Sequence, residues 1–145
     1  MRAYLISLFV MLSALVGCNT SQKTAISNIQ IVAESGANQN TATVIDIVFV
    51  YDITSTGLLP TTAREWFDKK IALINGQATG IDFVSLQVPP ASIVNVPLPK
   101  RYNDAIGVYS FSNYIDTAGQ PVGNLTSYKK ITIRLTPHHV VYSGS

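Results

Sequence analysis

The chain has 145 residues, of which 47% are hydrophobic and 12% charged, with 10 basic and 8 acidic side chains. This length fits one ordinary domain, and the near balance of charge gives no sign of nucleic-acid binding. Its single cysteine excludes an internal disulfide and a metal site built from several cysteines.

The N-terminus has the layout of a secretory signal. Arg2 is the only charge before the apolar run of residues 3–16, which is shorter than the roughly 20 residues that a transmembrane helix needs. The sequence LVGC, ending at Cys18, resembles the bacterial lipobox, in which the chain is cut before the cysteine and the thiol carries a diacylglyceryl group. We therefore expect residues 1–17 to be removed and Cys18 to carry a covalent lipid. The alternatives are an ordinary cleaved signal with an unrelated cysteine, or a weak membrane anchor.

The segment after this cysteine is predicted to be a lipidated flexible tether, residues 18–27. Its side chains are mostly small and polar, and it spans at most ~30 Å at 3.3–3.6 Å per extended residue. One acyl chain anchors only marginally, whereas the two or three chains of a lipoprotein anchor firmly. Asn19 stands where enteric lipoproteins retained in the inner membrane have aspartate, so the resemblance favours the outer membrane. The remaining residues, 28–145, form the predicted domain.

Two strands open that domain. Apolar and polar residues alternate from Ile29 to Glu34, which predicts a strand with one buried face. Small polar residues follow as a connection. Residues 43–51 are β-branched or aromatic on both faces, which predicts a central strand. Asp46 interrupts this strand, and we expect it to lie at a solvated end or to be hydrogen-bonded within the sheet, with a structural rather than a catalytic role.

One helix is predicted after the turn that Pro60 closes. Thr62 and Glu65 have the spacing of a capping box, and the apolar pattern extends to Ile74. We expect Asn75-Gly76 to end the helix with a left-handed residue. The stripe predicted to face the protein contains Ala63, Phe67, Ile71 and Ile74, beside Trp66 and Leu73. Trp66 and Phe67 are expected to pack the helix on a sheet.

The second half of the chain contains only strand and turn patterns. Short apolar runs at 81–88, 92–96, 105–111, 130–135 and 140–142 are separated by proline and glycine turns. In the 130–135 run the inward residues are Ile131, Ile133 and Leu135. Many short strands with one inserted helix predict a mainly β protein, a two-sheet β-sandwich.

Residues with catalytic potential are scarce. His138 and His139 are adjacent, so on a strand they would point to opposite faces, and we expect them in a surface turn. None of the common nucleophile, zinc or phosphate motifs occurs. We therefore predict no enzyme activity, no catalytic or metal site, no small-molecule substrate and no cofactor other than the lipid on Cys18.

Taken together, the quoted segments resemble the TssJ-type lipoproteins of the type VI secretion membrane complex. The lipobox is followed in order by NIQIVA, TVIDIVFVYDI, TTAREWFDKK, VPPASIVNVPLP and AIGVYSFSNY. This resemblance implies a transthyretin-like sandwich on the periplasmic face of the outer membrane. It also implies binding to the periplasmic C-terminal region of a TssM-like inner-membrane protein. The family contact maps here to the loop after the first strand, comprising Glu34, Ser35, Gly36, Ala37, Asn38, Gln39 and Asn40.

A second interpretation comes from a different class of function. A pilotin-like or general periplasmic lipoprotein could escort another protein to the outer membrane with the same tether and a similar β domain.

Overall fold

A computed structural model describes residues 21–145; the predicted signal and Cys18 lie outside the described residues. Eight strands form two four-stranded sheets, with strand orders β4-β1-β7-β8 and β3-β2-β5-β6. The strands are β1 (Asn28–Ala33), β2 (Thr43–Val50), β3 (Ile81–Val88), β4 (Ser92–Asn95), β5 (Gly107–Ser112), β6 (Gly123–Asn124), β7 (Lys130–Leu135) and β8 (Val140–Gly144). The helical segments are α1 (Ala37–Asn40), α2 (Ile53–Leu58) and α3 (Ala63–Gly76). The predicted mainly β, two-sheet class is confirmed.

The inner faces of the two sheets form the main core. Ile131, Ile133 and Leu135 of β7 are buried as predicted, beside Ile29 and Ile31 of the parallel neighbour β1. β2 is central in its sheet, between β3 and β5, and is buried along nearly its whole length. The period-two pattern of the sequence thus gave the correct inward faces.

α3 covers the outer face of the second sheet. Trp66 is fully buried and its ring stacks on Phe111, with 4.9 Å between the ring centroids. Thr62 Oγ1 accepts a hydrogen bond from Glu65 N at 3.3 Å, so the N-cap half of the predicted capping box is confirmed, whereas the Glu65 side chain does not return a bond to Thr62 N.

Two expectations for α3 were wrong. The helix includes Gly76, which is not left-handed, and Gln77 is its C-cap. Ile71 is 65% exposed, although the predicted stripe included it. The reason is that Ala63 and Trp66 face the sheet and set the rotation of the helix, so that Ile71 turns to solvent.

Three of these short elements were not predicted: α1, which falls in the stretch expected to be a connection, α2 and β6. α2 stands where the sequence indicated a turn, and its N-cap Asp52 accepts a hydrogen bond from Ser55 N at 2.7 Å. β6 has only two residues and pairs with β5. None of the helices within residues 21–145 is both long and apolar enough to cross a membrane.

The chain packs against the sandwich before β1 begins. Thr24 and Ile26 are buried. Thr24 N donates to Ala105 O at 2.8 Å, and Ser27 N donates to Lys129 O at 2.7 Å. Residues 24–27, which the sequence analysis assigned to the flexible segment, therefore pack against the sandwich.

Candidate functional site

The predicted contact loop and the N-terminal segment lie at opposite ends of the sandwich. Thr24 is bonded to Ala105, and Ile106 N donates to Val50 O at 2.8 Å, which defines the N-terminal end. β1 then runs from Asn28 at this end to Ala33, where the loop begins. Six strand residues span about 20 Å, so the loop is separated from the N-terminal segment by the length of the sheet. We call the end that carries residues 34–40 the loop end.

The backbone of this loop is held in an unusual conformation. Gly36, Asn38, Gln39 and Asn40 have φ values of 81°, 49°, 53° and 61°. Asparagine tolerates this left-handed region, whereas Gln39 is strained there. Asn38 N donates to Thr136 O at 3.0 Å and Gln39 N donates to Pro137 O at 3.1 Å. These bonds to the segment after β7 maintain the strained conformation.

The Asn38 side chain connects the two sheets at the loop end. It is only 1% exposed. Its Oδ1 accepts a hydrogen bond from Ile115 N at 2.8 Å, and its Nδ2 donates to Asn113 O at 3.3 Å. Residues 113–115 follow β5 of the other sheet, so one amide group fixes the loop to the neighbouring turn.

The seven predicted contact residues are therefore not equivalent. Ser35, Gln39 and Asn40 are exposed, and Glu34 and Gly36 are partly exposed. Glu34 Oε1 lies 3.1 Å from Arg134 Nη1 in an exposed ion pair. Ala37 and Asn38 are buried, so they shape the loop and are not available to a partner. The structure brings the seven residues together in one compact turn.

The sequence analysis missed one neighbour of this turn. Ile115 is 56% exposed, and it adjoins the loop through the bond from its backbone N to Asn38. The preceding Tyr114 is buried, donates from its hydroxyl to Thr136 O at 2.8 Å, and has its pKa raised by burial. The signal in the sequence was a single aliphatic residue within the polar stretch SNYIDT. Ile115 adds an apolar contact to an otherwise polar surface.

The two histidines lie in an exposed turn at the same end, in agreement with the sequence analysis. His138 Nδ1 is 3.2 Å from Asp116 Oδ2, and His139 Nδ1 is 3.1 Å from Thr136 Oγ1. Each ring thus contacts a different partner. Within residues 21–145 no three His, Cys, Asp or Glu side chains are grouped as metal ligands.

Asp46 has the structural role that was expected of it. The side chain is fully buried under α3, and its Oδ2 accepts hydrogen bonds from Trp66 Nε1 at 2.8 Å and Lys70 Nζ at 2.9 Å. The Lys70 ammonium also lies 4.9 Å from the centroid of the Phe67 ring. The carboxylate therefore fastens the helix to β2.

These features define a class of protein: a β-sandwich domain with a helix on one sheet and a rigid, partly exposed loop at the end remote from its N-terminal segment. No family model matches the sequence, and no curated protein is similar to it at the sequence level. Solved structures do share the fold.

The first is the type VI secretion lipoprotein TssJ1 from Pseudomonas aeruginosa, with 12% identity over 81% of this chain and 94% of that chain, and a TM-score of 0.52. The second is Serratia marcescens Lip, a membrane-bound component of the type VI secretion system, with 9% identity over 80% and 95% of the two chains and a TM-score of 0.53. The third is a chain of the structure described as the TssM C-terminal domain (869-1107) from EAEC, with 14% identity over 80% and 98%, and a TM-score of 0.53. The chain thus has the fold of type VI secretion lipoproteins at a low sequence identity.

Proposed function

We propose that this protein is a lipoprotein of a type VI secretion membrane complex. In this proposal Cys18 carries the lipid and fixes the protein to the periplasmic face of the outer membrane. The loop end binds the periplasmic C-terminal region of a TssM-like inner-membrane protein. The protein holds that partner at the outer membrane and catalyses no reaction.

The observation that carries the proposal is the position of the loop relative to the N-terminal segment. Thr24 is fixed at one end of the sandwich and the loop lies at the other. A domain anchored upstream of Thr24 can therefore rest at a membrane while Ser35, Gln39 and Asn40 face away from it. The fold shared with a lipoprotein and with a membrane-bound component of type VI secretion systems supports the same assignment. The structure described as the TssM C-terminal domain contains a chain of this fold, which supports a TssM-like protein as the partner.

The anchor is tested by Cys18→Ser. We expect a folded domain that is released from the membrane fraction and no longer supports secretion. Mass spectrometry of the parent protein extracted from its host should find acyl groups on Cys18. Normal secretion by a variant shown to lack acyl groups would reject the anchor.

The loop is tested at its exposed positions, leaving Ala37 and Asn38 in place so that the turn still forms. We expect the triple variant Ser35→Lys, Gln39→Lys, Asn40→Lys to lose co-purification with the TssM-like protein, because each side chain would meet the partner directly.

The matched control carries three lysines away from the loop, at Ala78, Asn103 and Ser127, which are all exposed. We expect this control to retain binding. Binding retained by the loop variant would move the contact elsewhere on the domain. Co-purification with a secretin subunit in place of a TssM-like protein would select the pilotin-like function.

A further inference from the structure

The N-terminal end of the sandwich presents an uncharged, exposed helix to solvent. α2 has the sequence ITSTGL and begins three residues after Val50, at the end where Thr24 is bonded. It is attached to the domain through Ser55, which is buried and whose Oγ donates to Oε1 of Gln77, the C-cap of α3, at 3.1 Å. Ile53 is 67% exposed and Leu58 is 47% exposed. Apolar side chains are thus displayed on a rigid support that has no charge to desolvate.

Basic residues are in excess at the same end of the sandwich as this helix. The charged residues at this end are Lys23, Lys100, Arg101, Lys129 and Lys130, with Asp52, Asp82 and Asp104. Counted by side chains, five positive charges oppose three negative ones at this end, whereas the rest of residues 21–145 has four positive and five negative. Among residues 21–145, neither Lys100 nor Lys129 has an acidic side chain within 4.0 Å. Such unpaired lysines favour an anionic surface.

The length of chain between Cys18 and the N-terminal end of the sandwich limits how far this end can lie from the bilayer. Thr24 is fixed to the domain and is the sixth residue after Cys18, so the two are at most about 22 Å apart when the chain is extended. Any bilayer that contains acyl chains on Cys18 therefore lies close to α2. This step depends on the proposed acylation of Cys18.

We propose that the N-terminal end of the sandwich docks on the phospholipid surface in which the Cys18 lipid is inserted. Ile53 and Leu58 enter the headgroup region, and Lys100 and Lys129 lie against lipid phosphates. Exposed apolar and cationic side chains combine in this way at bilayer interfaces. Because the sandwich is rigid, docking of the N-terminal end orients the loop end away from the membrane. The lipid thus holds the domain at the membrane, and the docked face determines the orientation of the domain relative to the bilayer.

The test uses the acylated protein in vesicles of phosphatidylethanolamine and phosphatidylglycerol. Acylation consumes the thiol of Cys18, so a cysteine introduced by Ile53→Cys is the only free thiol and can carry a polarity-sensitive fluorophore. The matched control is Ile115→Cys, a similarly exposed isoleucine at the loop end. We expect the label at position 53 to shift to shorter wavelength on vesicles and to be quenched by nitroxide lipids, while the label at 115 stays unchanged.

Three outcomes would overturn the inference. Protein that floats with the vesicles but has equal label spectra at both positions would leave the anchor intact and reject the docked face. Protein that does not float would reject acyl anchoring, and the docked face with it. A shift at position 53 that occurs without vesicles and grows with protein concentration would assign this face to a second copy of the chain.

A separate double variant tests the contribution of the two lysines to docking. Lys100→Glu with Lys129→Glu should reduce the shift at position 53 without changing flotation, and raised salt should have the same effect. An unchanged shift in this double variant would reject the phosphate contacts.

Discussion

Among the ion pairs of residues 21–145, the pair of Asp46 and Lys70 should contribute most to the free energy of unfolding, because Asp46 is fully buried and Lys70 is mostly covered. Lys70→Met removes the cation and leaves the carboxylate with the Trp66 indole as its donor. We expect a loss of about 3 kcal/mol in the free energy of unfolding, since breaking a buried pair leaves an uncompensated charge. Urea denaturation of the domain measures this change.

Two further variants separate charge from packing at this pair. Asp46→Asn with Lys70→Met removes both charges, keeps an acceptor for Trp66, and should return to within about 1 kcal/mol of the parent protein. Lys69→Met alters the exposed neighbour and should change stability by less than about 0.5 kcal/mol. A double variant as unstable as Lys70→Met alone would contradict the electrostatic explanation.

Asn38 is the second residue whose side chain determines local structure. Asn38→Ala removes two hydrogen bonds and places alanine at φ 49°, so we expect a loss of about 2–3 kcal/mol. Gln39→Gly, one residue later and exposed, should instead stabilise by about 1 kcal/mol because glycine is unstrained at φ 53°. Thermal unfolding of both variants distinguishes the hydrogen bonds of a buried side chain from backbone strain. Changes in stability of the same sign in the two variants would contradict this explanation.

At the level of elements, the two sheets approach closely where β6 meets β8. Gly123 of β6 lies under the Tyr142 ring of β8, and a Cβ at Gly123 would clash with the ring carbon Cζ. Gly123→Ala should therefore destabilise by about 2 kcal/mol through overpacking. The matched control is Gly57→Ala in α2, where no atom lies within 4 Å of the added carbon. This control should stabilise by about 0.5–1 kcal/mol because alanine favours helix. Equal effects at the two glycines would contradict the packing argument.

The accuracy of the sequence analysis differs between elements for physical reasons. β1, β2 and β7 were predicted because their alternation or uniform apolarity follows directly from burial. The rotation of α3 about its own axis was not predicted, because it depends on where Trp66 contacts Asp46 and Phe111 in the folded sheet. The strand β6 has only two residues, which is too short for any period to be visible. Likewise, the burial of Asn38 within a polar loop depends on bonds to residues more than 70 positions away.

At the scale of the whole molecule, tyrosines make stability depend on alkaline pH. Burial, followed by the hydrogen bond to Asp82, raises the pKa of Tyr51 from 10.0 to about 12, and burial also raises the pKa of Tyr114 and Tyr142. Below pH 10 all three phenols are neutral in both states, so this contribution is fully present. Between pH 10 and 12 the unfolded chain ionises first, and the free energy of unfolding should fall.

This dependence is measured by urea unfolding across that pH range. Tyr51→Phe keeps the aromatic ring under Arg101 and should make the fall less steep. A slope equal to that of the parent protein would show that Tyr51 does not contribute.

The N-terminal segment decides how the whole domain sits relative to its anchor, because only a packed segment transmits a fixed position from Cys18 to the sandwich. A protein beginning at residue 28 loses the buried Ile26 and the bonds from Thr24 and Ser27. We expect it to be less stable by at least about 3 kcal/mol than one beginning at residue 21, given about 2 kcal/mol for the isoleucine and about 1 kcal/mol for each hydrogen bond. Thermal and urea unfolding of the two proteins measure the difference, with a protein beginning at residue 22 as the control. Equal stability would mean that residues 24–27 are free in solution, and Cys18 could then lie farther from the sandwich than the 22 Å that separate it from a fixed Thr24.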